Sequence, residues 1–192
     1  MGNKVVVVAD AAQVAQVAAG FVASSIAAAV EARGACVIAL AGGTTPQALY
    51  ERLAGMGDLP WGQVHVVMGD ERAVPVDHPD SNLGMAKRAW LDHVAIPPAQ
   101  IHAVPTEIDP PKAGAVAYEA VLRGLPGLDL ALLGLGTDGH TASLFPKSPA
   151  LDEAEKWVVA PFVEAVKARR YTLTIPAFAA AHELVFLVCG EE

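Results

Sequence analysis

The sequence predicts an α/β fold in which a mostly parallel sheet has helices on both of its faces. Short apolar runs alternate along the chain with longer segments of helical character, which is the order that βαβ units show. The runs are apolar on consecutive residues, as is typical of strands covered on both faces. Hydrophobic residues make up 53% of the 192 residues and charged residues only 18%. This composition excludes a disordered chain.

The predicted strands are residues 5–8, 36–40, 64–68, 128–133 and 184–188. The first helix is expected to begin after Asp10, a suitable N-cap, and to end at Gly34. A second helix follows Pro46, and a third spans residues 82–94. The proline-rich stretches on either side of the third helix predict loops. Because no linker or repeat interrupts this pattern, we expect residues 1–192 to form one domain.

Charge and composition also restrict the partners. The net charge is −8 and there is no basic stripe, so a nucleic-acid partner is not expected. Glutamine, serine and glutamate interrupt the alanine-rich residues 11–32, and no signal peptide is recognisable, so we expect a cytoplasmic protein with no membrane partner. Cys36 and Cys189 lie in apolar runs and are expected to be reduced core residues. The histidines show no metal-ligand spacing, so no metal site is predicted.

Ligands of parallel sheets gather at the carboxyl ends of the strands. The second predicted strand is followed there by Gly42, Gly43, Thr44, Thr45 and Pro46. Two glycines let the backbone approach a ligand closely, and the start of the next helix offers N–H donors. The segment is therefore either an anion site or an ordinary turn between a strand and a helix.

The third strand is followed by Asp70, Glu71 and Arg72. Arg72 could bind a phosphate or a carbonyl oxygen while Asp70 or Glu71 holds its guanidinium. The alternative is a solvated loop with a surface ion pair. The polar loop that follows contains His78, which we interpret as an exposed histidine, and leads into the helix that begins at Asn82.

The fourth strand is followed by a glycine-rich loop that contains Gly136, Asp138 and His140. A histidine titrates near neutral pH and can accept a proton from water. Asp138 could bind the substrate or orient the imidazole. Because the loop follows a buried strand, we interpret His140 as a candidate general base and not as a structural histidine.

A basic cluster stands just before the strand-like residues 171–175. It consists of Lys167, Arg169 and Arg170, and in an acidic chain it indicates either a phosphate site or a solvated turn. Nucleophilic catalysis is not supported, because the chain has no G-x-S-x-G elbow and neither cysteine has a base nearby in the sequence.

Four segments together resemble the 6-phosphogluconolactonases. They are residues 40–53 (LAGGTTPQALYERL), 69–84 (GDERAVPVDHPDSNLG), 129–146 (DLALLGLGTDGHTASLFP) and 170–176 (RYTLTIP), in the order in which that family has them. The resemblance implies hydrolysis of 6-phosphoglucono-δ-lactone to 6-phosphogluconate, a step of the pentose phosphate pathway, without a metal or organic cofactor. It also implies a fold of the glucosamine-6-phosphate deaminase and ribose-5-phosphate isomerase type.

The resemblance further implies roles for individual residues. His140 is expected to be the base that activates water, and Arg72 to lie near the reacting centre with Asp70 in support. The implied substrate-binding residues are Gly42, Gly43, Thr44, Thr45, Asn82, Gly136, Asp138 and Arg170. Two departures from the family pattern are expected to matter: Ala179 stands where the family commonly has an asparagine, and the family's C-terminal lysine, helix and strand have no counterpart here.

Two other functions remain open on the sequence. Glucosamine-6-phosphate deaminases share the DGH sequence, but their loop continues without the ASLFP of residues 142–146. A sugar-phosphate sensor without catalysis would keep the anion loop but would not need the combination of Asp138, His140 and Arg72.

Overall fold

The computed structural model describes residues 4–190. The helices are α1 (Ala11–Arg33), α2 (Thr44–Ala54), α3 (Asn82–Ala89), α4 (Pro111–Arg123) and α5 (Ile175–Ala179). The strands are β1 (Cys36–Leu40), β2 (Val64–Met68), β3 (Asp70–Arg72), β4 (Leu130–Gly134), β5 (Val158–Val159), β6 (Phe162–Val163), β7 (Ala168–Leu173) and β8 (Glu183–Leu187).

The main sheet has four strands in the order β2-β1-β4-β8, and every pair in it is parallel. All five residues of β1 are buried, because helices cover the sheet on both sides. This covering explains the consecutive apolar residues of β1 and β4. The α/β fold predicted from the sequence is confirmed.

The first helix has the boundaries that its capping residues predict. The Asp10 side chain accepts a hydrogen bond from the Gln13 N–H at 2.8 Å, and Gly34 ends the helix with a left-handed φ of 77°. By length and composition alone, α1 could cross a membrane. In the structure its buried residues, among them Val22 and Ile26, belong to the protein core, as they do in a core helix of a globular domain.

A second, smaller sheet is antiparallel and has the order β3-β7-β5, with β6 also paired to β7. The chain passes from β2 into β3 through Gly69, whose N–H donates to the Leu40 carbonyl oxygen at 2.8 Å. The Leu173 N–H donates to the Gly69 carbonyl oxygen at the same distance. Gly69 therefore joins the two sheets at the carboxyl end of β2.

Some predicted elements are wrong. Residues 5–8 form no strand, and Val5 and Val7 are 85% and 88% exposed. Strand propensity is expressed only where a neighbouring strand offers hydrogen bonds, and none of the described residues pairs with this run. The helix predicted for residues 82–94 ends at Ala89 and is followed by a short 3-10 turn at residues 91–93.

Three further differences concern α4, β7 and the cysteines. The proline-rich stretch predicted as loop ends at Pro111, which is the first residue of α4, where proline is well tolerated. Of the strand-like residues 171–175, only 171–173 belong to β7, which begins earlier, at Ala168; Thr174 is the N-cap of α5 and Ile175 its first residue. Cys36 is buried as predicted, whereas Cys189 is exposed just beyond the edge strand β8.

Candidate active site

The candidate site lies where the direction of the sheet connections changes. The connection from β1 leads to β2 on one side of the sheet, and the connection from β4 leads to β8 on the other. Two neighbouring strands whose connections leave in opposite directions open a crevice at their carboxyl ends. The loops that follow β1 and β4 contain Gly42, Gly43, Gly136 and His140, so the topology brings these predicted residues to one edge.

The imidazole of His140 is held by its own loop. Its Nδ1 lies 2.5 Å from Oδ1 of Asp138, and its backbone N–H donates to the same oxygen at 3.1 Å. The ring stacks on Phe145 at a centroid distance of 4.0 Å. The hydrogen bonds from His140 hold the pKa of Asp138 below its usual value. An ionised Asp138 accepts the proton on Nδ1, which leaves Nε2 as the free basic nitrogen.

Gly136 allows this ring position. A Cβ atom at residue 136 would overlap the Nδ1 and Cε1 atoms of His140. The loop closes on itself, since the Gly136 N–H donates to the His140 carbonyl oxygen at 2.8 Å and the Gly139 N–H donates to the Gly136 carbonyl oxygen at 2.9 Å. Gly139 has a φ of 84°, which glycine adopts without strain.

Asp70 connects three segments of the site. Its Oδ2 accepts a hydrogen bond from the Ser143 hydroxyl at 2.7 Å, and its backbone oxygen accepts one from the Asn82 amide at 3.0 Å. Burial raises the pKa of Asp70, and the Ser143 hydrogen bond and the positive charges of Arg72 and Arg170 act in the opposite direction. The site therefore contains a buried acidic group whose carboxyl oxygens accept hydrogen bonds from Ser143 and Asn82.

Arg72 and Arg170 form a pair of cations. They are register partners on the antiparallel strands β3 and β7. The Nε atom of each is buried without a hydrogen-bond partner, and among residues 4–190 neither side chain makes a salt bridge. Burial and the charge of Arg72 lower the pKa of Arg170. Arg72 also donates from Nη1 to the Asp80 carbonyl oxygen. Two half-buried guanidinium groups whose Nε donors are unused are suited to bind an anion between them.

The start of α2 supplies further donors. Gly43 is the N-cap with a φ of 101°, and no side chain caps this end of the helix. The first-turn N–H groups at Thr44 and Thr45 are thus available to an anionic group. Gly42 lies against the Asn82 side chain, which a Cβ at residue 42 would overlap. The helix start, Asn82 and Asp70 are consequently in one contiguous cluster.

Other parts of the sequence interpretation need correction. The Glu71 carboxylate does not hold the Arg72 guanidinium; it accepts the backbone N–H of Arg72 at 2.8 Å and points to the start of α3. Of the basic cluster, only Arg170 reaches the site, because Lys167 and Arg169 are exposed. His78 is exposed, as predicted.

Sequence reasoning did not single out Ser143 or Phe145. Both are buried and lie against predicted site residues, Ser143 on Asp70 and Phe145 on His140. Their position in the same loop as Asp138 and His140, after β4, could have indicated that they lie at the site. Ala179 is exposed at the end of α5. Residues 4–190 contain no cluster of three or more histidine, cysteine or acidic residues arranged to hold a metal ion.

The fold and the site define an α/β protein that has two neighbouring arginines and a histidine bound to Asp138 at the carboxyl edge of a parallel sheet. A family model described as glucosamine-6-phosphate isomerases/6-phosphogluconolactonase matches residues 9–192. The chain belongs to this family. The resemblance found in the sequence motifs is confirmed.

Relatives with curated names support the same assignment. The chain is 48% identical over 170 residues to a 6-phosphogluconolactonase of Synechocystis, an alignment that covers 84% of this chain and 70% of the relative. It is 41% identical over 183 residues to a 6-phosphogluconolactonase of Mycobacterium tuberculosis, with 86% and 72% covered. A crystal structure of 6-phosphogluconolactonase from Leishmania guyanensis superposes with a TM-score of 0.86 at 30% identity, over 99% of this chain and 83% of that one.

Proposed function

We propose that the chain hydrolyses 6-phosphoglucono-δ-lactone to 6-phosphogluconate and that His140 is the general base. The activity is the one for which the relatives in Synechocystis and Mycobacterium tuberculosis are named. The observation that supports the role of His140 is its contact with Asp138, 2.5 Å from Nδ1, which leaves Nε2 free to accept a proton. We further propose that the enzyme acts in the cytoplasm, in the oxidative branch of the pentose phosphate pathway.

The reaction needs one base that later returns its proton. Nε2 of His140 takes a proton from water as the water oxygen bonds to the lactone carbonyl carbon. Asp138 stabilises the imidazolium that forms. When the tetrahedral intermediate collapses, the bond between the carbonyl carbon and the ring oxygen breaks, and the ring oxygen takes the proton from Nε2. The products are a carboxylic acid and a hydroxyl group, and His140 is neutral again.

The phosphate of the substrate fits the cationic end of the site. Arg72 and Arg170 have unused buried Nε donors, and α2 begins with uncapped N–H groups. The register pairing of the two arginines favours a single shared anion over a separate place for Arg72 at the reacting carbon. Anchoring the remote phosphate holds the lactone carbonyl near His140, which raises the rate by restricting orientation.

The sugar hydroxyls fit the polar centre of the site, where Asp70 and Asn82 offer carboxylate and amide groups. A lactone is an activated ester, so a positioned base and hydrogen-bond donors are sufficient without a covalent nucleophile. No step of this mechanism uses a metal ion or an organic cofactor.

The test is the rate of lactone loss above the uncatalysed background. We expect His140→Ala to lower turnover by about 10²- to 10⁴-fold, while the affinity for 6-phosphogluconate stays close to that of the parent. The matched control is His182→Ala, which removes an exposed histidine outside the site and should leave the rate unchanged. Hydrolysis by His140→Ala at the parent rate would exclude His140 as the base.

Two outcomes would contradict the proposed activity itself. Release of ammonia from glucosamine 6-phosphate, without acceleration of lactone loss, would assign the chain to the deaminase branch of the family. Binding of 6-phosphogluconate without any acceleration would indicate a sensor.

A further inference from the structure

Glu71 is a buried carboxylate next to two site residues but not directed at the ligand. It is 2% exposed and lies between Asp70 and Arg72 on β3. Because side chains alternate along a strand, its carboxylate points away from the side taken by Asp70 and Arg72. It has no cationic partner among the described residues, and burial raises its pKa. An ion pair therefore does not explain how this buried acidic group is stabilised.

Four hydrogen-bond donors stabilise the buried Glu71 carboxylate. Oε1 accepts the backbone N–H groups of Arg72 at 2.8 Å and of Asn82 at 2.7 Å. Oε2 accepts the Leu83 N–H at 2.8 Å and the Ser81 hydroxyl at 3.1 Å. Asn82 and Leu83 are the first two residues of α3. Glu71 therefore caps this helix from a neighbouring strand, where a carboxylate is favoured by the helix dipole.

The contact also determines where the Asn82 side chain lies. The Asn82 amide nitrogen donates to the Asp70 backbone oxygen at 3.0 Å and is 3.3 Å from Asp70 Oδ1. The same side chain fills the space beside Gly42. Asn82 thus bridges the strand that contains Asp70 and the loop that precedes α2, while its backbone is bound to Glu71.

We propose that Glu71 is a positioning residue that acts through Asn82. Its ionised carboxylate fixes the first turn of α3 to β3, and this places the Asn82 amide between Asp70 and the loop at Gly42. The proposal rests on the proposed lactonase function, because the position of Asn82 is measured through catalysis. Replacing a purely structural carboxylate would lower only the stability of the protein. Replacing a positioning residue should also lower the activity of the molecules that remain folded.

Glu71→Gln is the direct test. The amide replaces one acceptor oxygen by an NH₂ group, which is itself a donor. In one orientation this group meets the N–H groups of Arg72 and Asn82, and in the other it meets the Leu83 N–H and the Ser81 hydroxyl. Either way, donors face donors and hydrogen bonds are lost. We expect kcat/KM of the folded variant to fall by about tenfold or more, since small displacements of site groups have large effects on rate. We also expect 6-phosphogluconate to bind more weakly.

Glu119→Gln is the matched control. Glu119 also accepts two backbone N–H groups, those of Trp157 at 3.0 Å and Val158 at 3.2 Å. It lies on α4 and binds the start of β5, away from the site residues. We expect it to lower thermal stability while leaving kcat/KM within about twofold of the parent, because distant sites act independently. Equal kcat/KM for the two variants, measured per folded molecule, would overturn the proposal.

A double-mutant cycle tests the route through Asn82. If Glu71 acts by placing Asn82, Glu71→Gln should change kcat/KM by less than about twofold in an Asn82→Ala background. Additive effects would overturn the proposal, and so would a parental kcat/KM for Asn82→Ala alone, whether or not Glu71→Gln folds. If the parent protein has no lactonase activity, the proposed function fails instead, and the same variants are compared by their affinity for 6-phosphogluconate.

Discussion

Arg72 and Arg170 face each other as register partners on two antiparallel strands, and neither finds a carboxylate to pair with among the described residues. Like charges directly opposite each other across a strand pair are destabilising. The buried Nε atoms without partners add to this cost. An anion between the two guanidinium groups would offset both costs, so we expect binding of a phosphorylated ligand to stabilise the pair.

The first prediction follows from this pair. Arg170→Ala should weaken the binding of 6-phosphogluconate by about 10- to 100-fold, because charge-assisted hydrogen bonds are lost, and should change kcat much less than KM. Calorimetric titration and steady-state kinetics measure the two effects. The neighbouring Arg169→Ala is the control, since that side chain is exposed and donates to the Ala160 carbonyl oxygen. Unchanged affinity in Arg170→Ala would contradict a phosphate role.

The second prediction concerns Asp138. In Asp138→Asn, the amide can no longer act as an anionic acceptor for Nδ1 of His140 and can favour the wrong tautomer. We expect kcat to fall by about 10- to 100-fold with little change in the affinity for 6-phosphogluconate. Single-turnover kinetics, combined with calorimetry, separates the two. A parental kcat would show that the tautomer of His140 is set by another group.

The third prediction compares Gly136, in the loop after β4, with Gly134, the last residue of β4. Gly136→Ala places a methyl group where the imidazole of His140 now lies, so the ring must move. We expect kcat/KM to fall by about 10- to 100-fold, while the protein remains folded. At Gly134 an added Cβ meets no atom within 4 Å and φ is not positive, so Gly134→Ala is the control and should keep kcat/KM. Equal losses in both variants would indicate a general effect on the loop.

The sequence was sufficient for those elements whose signals are local. Asp10 and Gly34 define α1 because a cap depends on neighbouring residues alone, and β1 is recognisable because burial on both faces leaves only apolar residues. The loop with Asp138 and His140 was recognised for the same reason, since its glycines and its ionisable groups lie within a few residues.

Features that depend on distant segments were missed. The pairing of Arg72 with Arg170 depends on the register of two strands almost a hundred positions apart in the chain. Asp70 or Glu71 was expected to hold the Arg72 guanidinium, because nothing in the sequence shows that the start of α3 lies against β3 and donates to Glu71. The strand predicted for the valine run at residues 5–8 was wrong for the opposite reason. Its local strand propensity is high, but it pairs with no strand among the described residues.

A pair of histidines outside the site makes the stability of the fold depend on pH. The rings of His65 on β2 and His102 are nearly parallel, and Nδ1 of His65 lies 3.1 Å from Nε2 of His102. The Gln100 amide nitrogen lies 3.1 Å from the other nitrogen of His65. Burial lowers the pKa of both histidines, and the charge of His65 lowers that of His102 further.

The last prediction gives the sign of this dependence. A lowered pKa means that, below the ordinary histidine value of about 6.5, the unfolded chain binds more protons than the folded one. The contribution of the two histidines to stability is therefore fully present above that pH and is lost as the pH falls below it. Between pH 7.5 and 5.5, Tm of the parent should fall by more than that of His65→Asn/His102→Gln.

Thermal unfolding at the two pH values measures this difference. His65→Asn keeps a donor near the position of Nδ1, so the double variant removes two titrating groups with little loss of packing. The raised pKa values of Asp70 and Glu71 act with the opposite sign, but they are common to both proteins and cancel in the comparison. His182→Gln, an exposed histidine, is the control and should keep the parental pH dependence. An identical pH dependence in the double variant would show that the His65–His102 contact contributes nothing to it.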